Sequence, residues 1–284
     1  RAVVIAADET AMRAYAETVP LFAPEVEVLT LPAWDCLPYD RASPHRDILA
    51  RRIDALSPLS AMEEGARTKL VVVTTIAAIL QRVPTPAGFK GTLELTRGGR
   101  LDQGKLVDFL VGKGYTRSGT VGEAGEFAVR GGIVDLFPPG TTMPIRVDFF
   151  GEEFEDLRLF DPLSQRSLGK IEEFALRPIN ELQLTPDAIE HFRTNYRSEF
   201  GTSGADDPLY EAISAGRQFP GMEHWLPLFG TELVPFDSYL PRAIVTLDHQ
   251  VDEAVKARLE MIQDFYQARR DLQAAERESG APVY

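Results

Sequence analysis

The chain opens on an unbroken apolar run, RAVVIAA over residues 1–7, the pattern of a strand buried on both faces of a parallel sheet. A helical stretch over about residues 9–22 follows, then a second such strand, VEVLTL at residues 26–31. After Pro44 the pattern predicts a helix with Ile48, Ile53 and Leu56 on its apolar side and Arg46, Arg51 and Arg52 on its other faces. KLVVVTT at residues 69–75 gives a third buried strand, and Thr75 is placed to cap a helix over residues 76–83. Strands and helices in alternation predict an α/β arrangement around a parallel sheet.

Pro84, Pro86 and Gly88 then punctuate the chain, and the pattern changes to short strands separated by glycines around one helix at residues 102–113. This smaller α+β unit is expected to span residues 89–178 and to carry an antiparallel sheet. Beyond it come a helix at residues 186–200, an acidic Gly/Ser loop at residues 201–208, another buried strand in AIVTLD at residues 243–248, and a long helix from Val251. Parallel strands on both sides of the small unit predict one discontinuous α/β domain. Its first part is residues 1–88, and its second part, with a helical subdomain and the terminal helix, is residues 179–284.

Residues 126–165 read as two or three antiparallel strands. Met143, Ile145, Val147 and Phe149 alternate with Pro144, Arg146, Asp148 and Phe150, which puts Arg146 and Phe150 together on the face away from the core. In the preceding strand Phe127 and Val129 point inward and Arg130 outward, just before Gly131 and Gly132, a pair that suggests a bulge or a close backbone approach. Arginines and an aromatic exposed on a rigid sheet are the material of a protein-docking hot spot. The competing reading is that Phe150 covers a sheet edge and the arginines are solvated. The acidic run Glu152, Glu153, Glu155 and Asp156 reads as a solvated turn.

Composition narrows the function classes. With 284 residues, 44% of them hydrophobic, the chain can bury the cores of two or three domains. A formal net charge of −13 argues against an extended phosphate-binding surface, so DNA is not expected as a ligand of the bulk surface. Cys36, the one cysteine, has no internal disulfide partner; with neither a leader-like segment nor an apolar run of spanning length, a cytoplasmic protein without membrane contact is expected. Starting without Met on a strand-like run, the chain reads as part of a longer protein.

Catalytic constellations are missing. A P-loop needs G-x-x-x-x-G-K-[ST], and the nearest string, Gly112-Lys113-Gly114, reads as a helix C-cap. An apolar strand ending in an acidic pair is half met by Asp248, which His249 follows. The four histidines stand apart, without metal-ligand spacing, and Cys36 has no basic residue beside it in sequence. Residues 96–100 read as a turn. No catalytic residue, cofactor site or metal site is expected.

V-R-G-G-I-V-D-L-F-P at residues 129–138 and I-R-V-D-F-F-G-E-E-F-E-D-L-R-L-F-D-P-L-S-Q at residues 145–165 resemble the second domain of the nucleotide excision repair protein UvrB. They are more similar still to its counterpart in the bacterial transcription-repair coupling factors, and L-P-A-W-D-C-L-P-Y-D-R-A-S-P-H at residues 31–45 resembles the coupling factors rather than UvrB. The resemblance implies a degenerate, P-loop-NTPase-like α/β domain with an inserted UvrA-docking domain. It implies an adaptor that binds UvrA through Arg130, Arg146 and Phe150 without ATPase activity of its own. RNA polymerase and DNA would be contacted by other parts of the full-length protein, an ATP-dependent translocase. UvrB's strand-separating hairpin has no equivalent in residues 32–45, where only Trp34 and Tyr39 are aromatic. The alternative is a fragment of a true UvrB-like ATP-dependent strand-separating enzyme, and a third, small-molecule enzyme reading lacks a convergent polar cluster.

Overall fold

The computed structural model describes residues 1–39, 41–62, 68–89, 93–201 and 207–275. In chain order the elements are β1 (Ala2–Ala6), α1 (Glu9–Phe22), β2 (Glu27–Leu31), α2 (Arg46–Ala61), β3 (Leu70–Thr75), α3 (Ile76–Ile79), β4 (Val83–Pro84), β5 (Leu93–Thr96) and α4 (Gln103–Gly112). There follow β6 (Thr116–Arg117), β7 (Glu126–Arg130), β8 (Ile133–Leu136), β9 (Ile145–Phe150), β10 (Glu153–Phe160), β11 (Ser167–Lys170) and β12 (Glu173–Leu176). The last are α5 (Pro186–Phe200), α6 (Pro208–Ser214), β13 (Leu233–Val234), β14 (Ile244–Leu247) and α7 (Val251–Ala275). The fold is mixed α/β, and it divides into two compact units, residues 1–88 with 184–284, and residues 89–183. The loop expected at residues 201–208 lies mostly outside the described residues.

The first unit is built on a parallel sheet of order β14-β1-β3-β2. Its central strands β1 and β3 are apolar up to Thr74 and Thr75, with Val3, Ile5, Val72 and Val73 all buried, whereas β14, expected as a buried strand, is an edge strand exposed along its length. Helix α1 carries the chain from β1 past β3 to β2, and its buried Met12 packs on Ala6 and Val73. Asp8 caps α1 by accepting the Ala11 N–H at 2.8 Å, and Thr75 caps α3 through Ala78 at 3.2 Å. The α3 helix stops at Ile79, short of the expected residue 83. Pro84 favours an extended Val83, and the two residues pair with β13 instead.

Arg52 departs most from its expected place. It is fully buried in α2, donating to the Pro32 carbonyl at 2.8 Å and to Gln81 Oε1 at 3.2 Å, with its guanidinium 5.8 Å from the Trp34 ring. The chain leaving β2 lays backbone carbonyls and an aromatic over the helix, and a buried carbonyl there needs a donor. Periodicity cannot show this, because the partner lies 20 residues away. Cys36, expected without a basic neighbour, is buried with its Sγ 3.6 Å from His224 Nε2.

The second unit holds six strands in one sheet, ordered β11-β10-β9-β8-β7-β6, antiparallel except for the β6–β7 pair; four of them, β7 to β10, fall within residues 126–165, where two or three were expected. One face packs against α4 in a core that includes Leu106, Leu110, Phe127, Val134, Leu136, Ile145, Val147 and Leu157. Asp102 caps α4 through Lys105, Lys113 is its C-cap, and Gly114 at φ +93° takes the left-handed turn that follows. The strands entering and leaving the unit, β5 and β12, pair with each other from Leu93↔Leu176 to Thr96↔Glu173. Among the described residues no helix is long and apolar enough to cross a membrane.

Candidate docking face

Strand β9 begins at Ile145 rather than Met143, but its alternation holds. Ile145 and Val147 are fully buried, Phe149 packs on the core with its ring 5.2 Å from that of Phe154, and Phe150 points away with 80% of its surface exposed. The cross-strand register places Arg146 opposite Asp135 of β8 and Arg158 of β10, and Asp148 opposite Ile133 and Asp156. Ile133 is in turn opposite Arg130 of β7. A bulge between Phe154 and Asp156 shifts β10 by one residue, so that Leu157 and Leu159 return to the core side and Asp156 and Arg158 to the outer side.

Asp135 organises this outer face. Its carboxylate is fully buried and is bound bidentately by Arg146, Nε to Oδ1 at 2.6 Å and a terminal nitrogen to Oδ2 at 3.0 Å; the Arg130 guanidinium also binds Oδ2. A buried carboxylate is tolerated when its lone pairs are met in this way. The hydrogen bond to Asp135 raises the Arg146 pKa, and the guanidinium stacks 4.7 Å from the Phe160 ring and donates to the Gln165 carbonyl at 3.4 Å. Arg146 is therefore only 16% exposed along its side chain, whereas Arg130 retains 46%. The expectation of two freely solvated or freely projecting arginines is corrected for Arg146, because Asp135 and Phe160 hold it against the sheet.

Asp156, expected in a solvated turn, is nearly buried. Arg158 lies 2.6 Å from it and Lys170 2.8 Å, and Arg158 also reaches Asp148 at 3.5 Å. These contacts, Lys170's hydrogen bond foremost and then Arg158's, hold the Asp156 carboxyl at about 2, below its ordinary 3.8. Burial raises the Asp148 pKa, which Arg158 opposes. Arg97 approaches Asp156 at 3.1 Å but is matched by Glu172 at 3.3 Å. Arg130, Arg146, Arg158 and Lys170 thus face Asp135, Asp148 and Asp156, a local excess of one positive charge on a chain whose net charge is −13.

Arg130 and Arg146 converge on one carboxylate, while Phe150 stands four residues along β9 from Arg146, roughly 13 Å away. It lies toward the turn formed by Gly131 and Gly132. A Cβ on Gly132 would meet the Phe149 carbonyl oxygen at 2.9 Å, and Phe149 N–H donates to the Gly132 carbonyl at 2.7 Å, so this is the close backbone approach that the glycine pair suggests. Asp135, Arg158 and Lys170 were missed as members of the face. An aspartate centred in the apolar strand I-V-D-L was the available signal, because a charge there needs a partner opposite.

The family model of the UvrB interaction domain matches residues 93–182, the segment that carries this sheet. The chain is 34% identical over 265 residues to the transcription-repair-coupling factor of Rickettsia bellii, covering 93% of this chain and 23% of that protein. It is 38% identical over 216 residues to that of Escherichia coli, covering 75% and 18%, and 34% identical over 216 residues to that of Mycobacterium tuberculosis, covering 72% and 17%. The chain is thus a protein with a UvrB interaction domain. It belongs to the transcription-repair coupling factors, matching an N-terminal module of that family and spanning less than a quarter of its relatives' length.

Proposed function

We propose that this chain is the adaptor module by which a transcription-repair coupling factor recruits nucleotide excision repair, docking UvrA on the outer face of the six-stranded sheet. The observation that carries this reading is Phe150. It is a large aromatic exposed on a rigid strand, on the same sheet face as arginines that a buried aspartate orients, within a domain that matches the UvrB interaction domain. A preorganised guanidinium gives up little side-chain entropy when it meets a partner carboxylate, and an exposed phenyl ring gains by entering an apolar pocket. Arg130 supplies the more accessible charge, Phe150 the apolar anchor, and Arg146 the bidentate pair with Asp135 that fixes the charged end of the face.

The module has no ATPase activity of its own in this reading, and RNA polymerase and DNA are contacted by other parts of the full-length protein. The state of Asp248 supports the first statement. One of its oxygens accepts from the Tyr15 hydroxyl at 3.2 Å and the other faces His249 Nδ1 at 2.7 Å, so both are engaged rather than open to a hydrated cation. The direct test is a titration of this chain with UvrA: binding is expected, and Phe150→Ala should weaken it by about 2 kcal/mol or more, roughly 30-fold. Equal binding of the variant would remove the docking face from the proposal.

A further inference from the structure

A cavity of about 340 Å³ opens in the first unit, and it belongs to no part of the docking face. Its walls come from the segments that follow three strands of the parallel sheet. Trp34 and Tyr39 lie after β2, Leu80 and Arg82 after β3, and Arg258 on α7 after β14, with His224 closing another side. The crevice beyond the carboxyl ends of the strands is where open α/β sheets place their ligands, and the volume lies within the roughly 300–1,000 Å³ of small-molecule sites.

The walls are fixed before any ligand arrives. The Trp34 ring stands edge-on to His224 at 5.5 Å and under the buried Arg52 guanidinium, and its backbone N–H donates to Gln81 Oε1 at 3.3 Å. Tyr39 adopts φ +71°, a left-handed conformation that a tyrosine enters only when its surroundings enforce it. Helix α7 enforces it here, since Arg269 donates to the Tyr39 carbonyl at 2.7 Å and the Tyr266 ring packs 5.2 Å from the Tyr39 ring.

The charge lining this cavity is unbalanced. Arg258 is partly buried and makes no hydrogen bond or ion pair with a carboxylate among the described residues; Arg82 donates only to the Leu233 carbonyl, at 3.5 Å. Among the described residues the one carboxylate in the lining, Glu223, is buried and already accepts from the Ser43 hydroxyl at 2.7 Å. Burial lowers the Arg258 pKa, opposed in part by the nearby Cys36, while no carboxylate is paired with Arg258 among the described residues. We propose that this cavity is a binding site for a small-molecule carboxylate with a flat apolar body, the carboxylate paired with Arg258 and Arg82 and the body lying between Trp34, Tyr39 and Leu80.

The probe is N-acetyl-L-phenylalanine, with its uncharged amide as the control, titrated into the 284-residue chain. The readout is the indole N–H resonance of Trp34, assigned by its loss in Trp34→Phe. The acid should shift this resonance saturably, and the amide should bind roughly tenfold more weakly or worse, as the loss of a charge-assisted hydrogen bond dictates. Arg258→Met should reduce acid binding to the level of the amide, with an unchanged Tm confirming the fold; the exposed Arg82→Gln gives a second reading of the same charge. Absence of a saturable shift into the millimolar range, equal binding of acid and amide, or indifference of both arginine variants overturns the proposal.

Discussion

Phe149→Ala and Phe150→Ala separate packing from docking across a single peptide bond. Phe149 packs on the core beside Phe154, so its truncation should cost about 2–3 kcal/mol in urea unfolding, toward the low end for a phenylalanine because it is not fully enclosed. Phe150 should leave the unfolding midpoint unchanged and lose UvrA binding. Arg146 and Arg130 divide differently. Arg146→Ala leaves the buried Asp135 with Arg130 alone and should destabilise by about 2–4 kcal/mol, whereas Arg130→Ala should cost about 1 kcal/mol, because Arg130 is half exposed and the buried Asp135 keeps both hydrogen bonds from Arg146. The alternation of β9 in the sequence reveals that Arg146 and Phe150 share a face. It does not reveal that Arg146 is committed to Asp135 eleven residues earlier, since pairing across a hairpin depends on a register that turn geometry sets.

The strands β9, β10 and β11 act together through Asp156. Its carboxyl is held at about 2 against an ordinary 3.8, so the stability it contributes is present above about pH 4 and is lost as the pH falls toward 2. Thermal unfolding followed from about pH 5 down to pH 2.5 should show this loss, and Asp156→Asn should lower Tm at pH 5 while flattening the slope below pH 4. The elements themselves were legible where apolar residues form long runs or strict alternation, as in β1, β3, β9 and α5. They were less so where a proline overrides the pattern, as at Pro84, or where a bulge shifts it, as in β10. The acidic run after Phe150 looked solvated because Glu152, Glu153 and Glu155 are exposed; the bulge sets Asp156 on the outer face opposite Asp148, where Arg158 and Lys170 cover it.

The charge of the entire chain bears on partners more than on fold. At −13, and with the cations of the outer sheet face, Arg130, Arg146, Arg158 and Lys170, committed to ion pairs, the chain should bind damaged duplex DNA weakly and lose that binding steeply with added salt in gel-shift titrations. Calorimetric titration with ATP and Mg²⁺ should give no binding heat in the micromolar range, in line with the engaged Asp248; a micromolar dissociation constant would return the strand-separating enzyme to consideration. The parallel sheet was legible from its apolar strands. The cavity beyond its strand ends was not, because Trp34, Arg82 and Arg258 come to line one space only once the strand order brings three distant segments together.

The pairing of β5 with β12 has a practical meaning for protein engineering. Leu93 and Leu176, the first and last residues of that ladder, are held as cross-strand partners about 5 Å apart by the unit's own hydrogen bonds. A segment that closes its own ends in this way is portable: it can be spliced into a surface loop of an unrelated carrier whose two anchor points are equally near. A fluorescent or affinity carrier bearing it would then test the proposed UvrA docking without the rest of the chain.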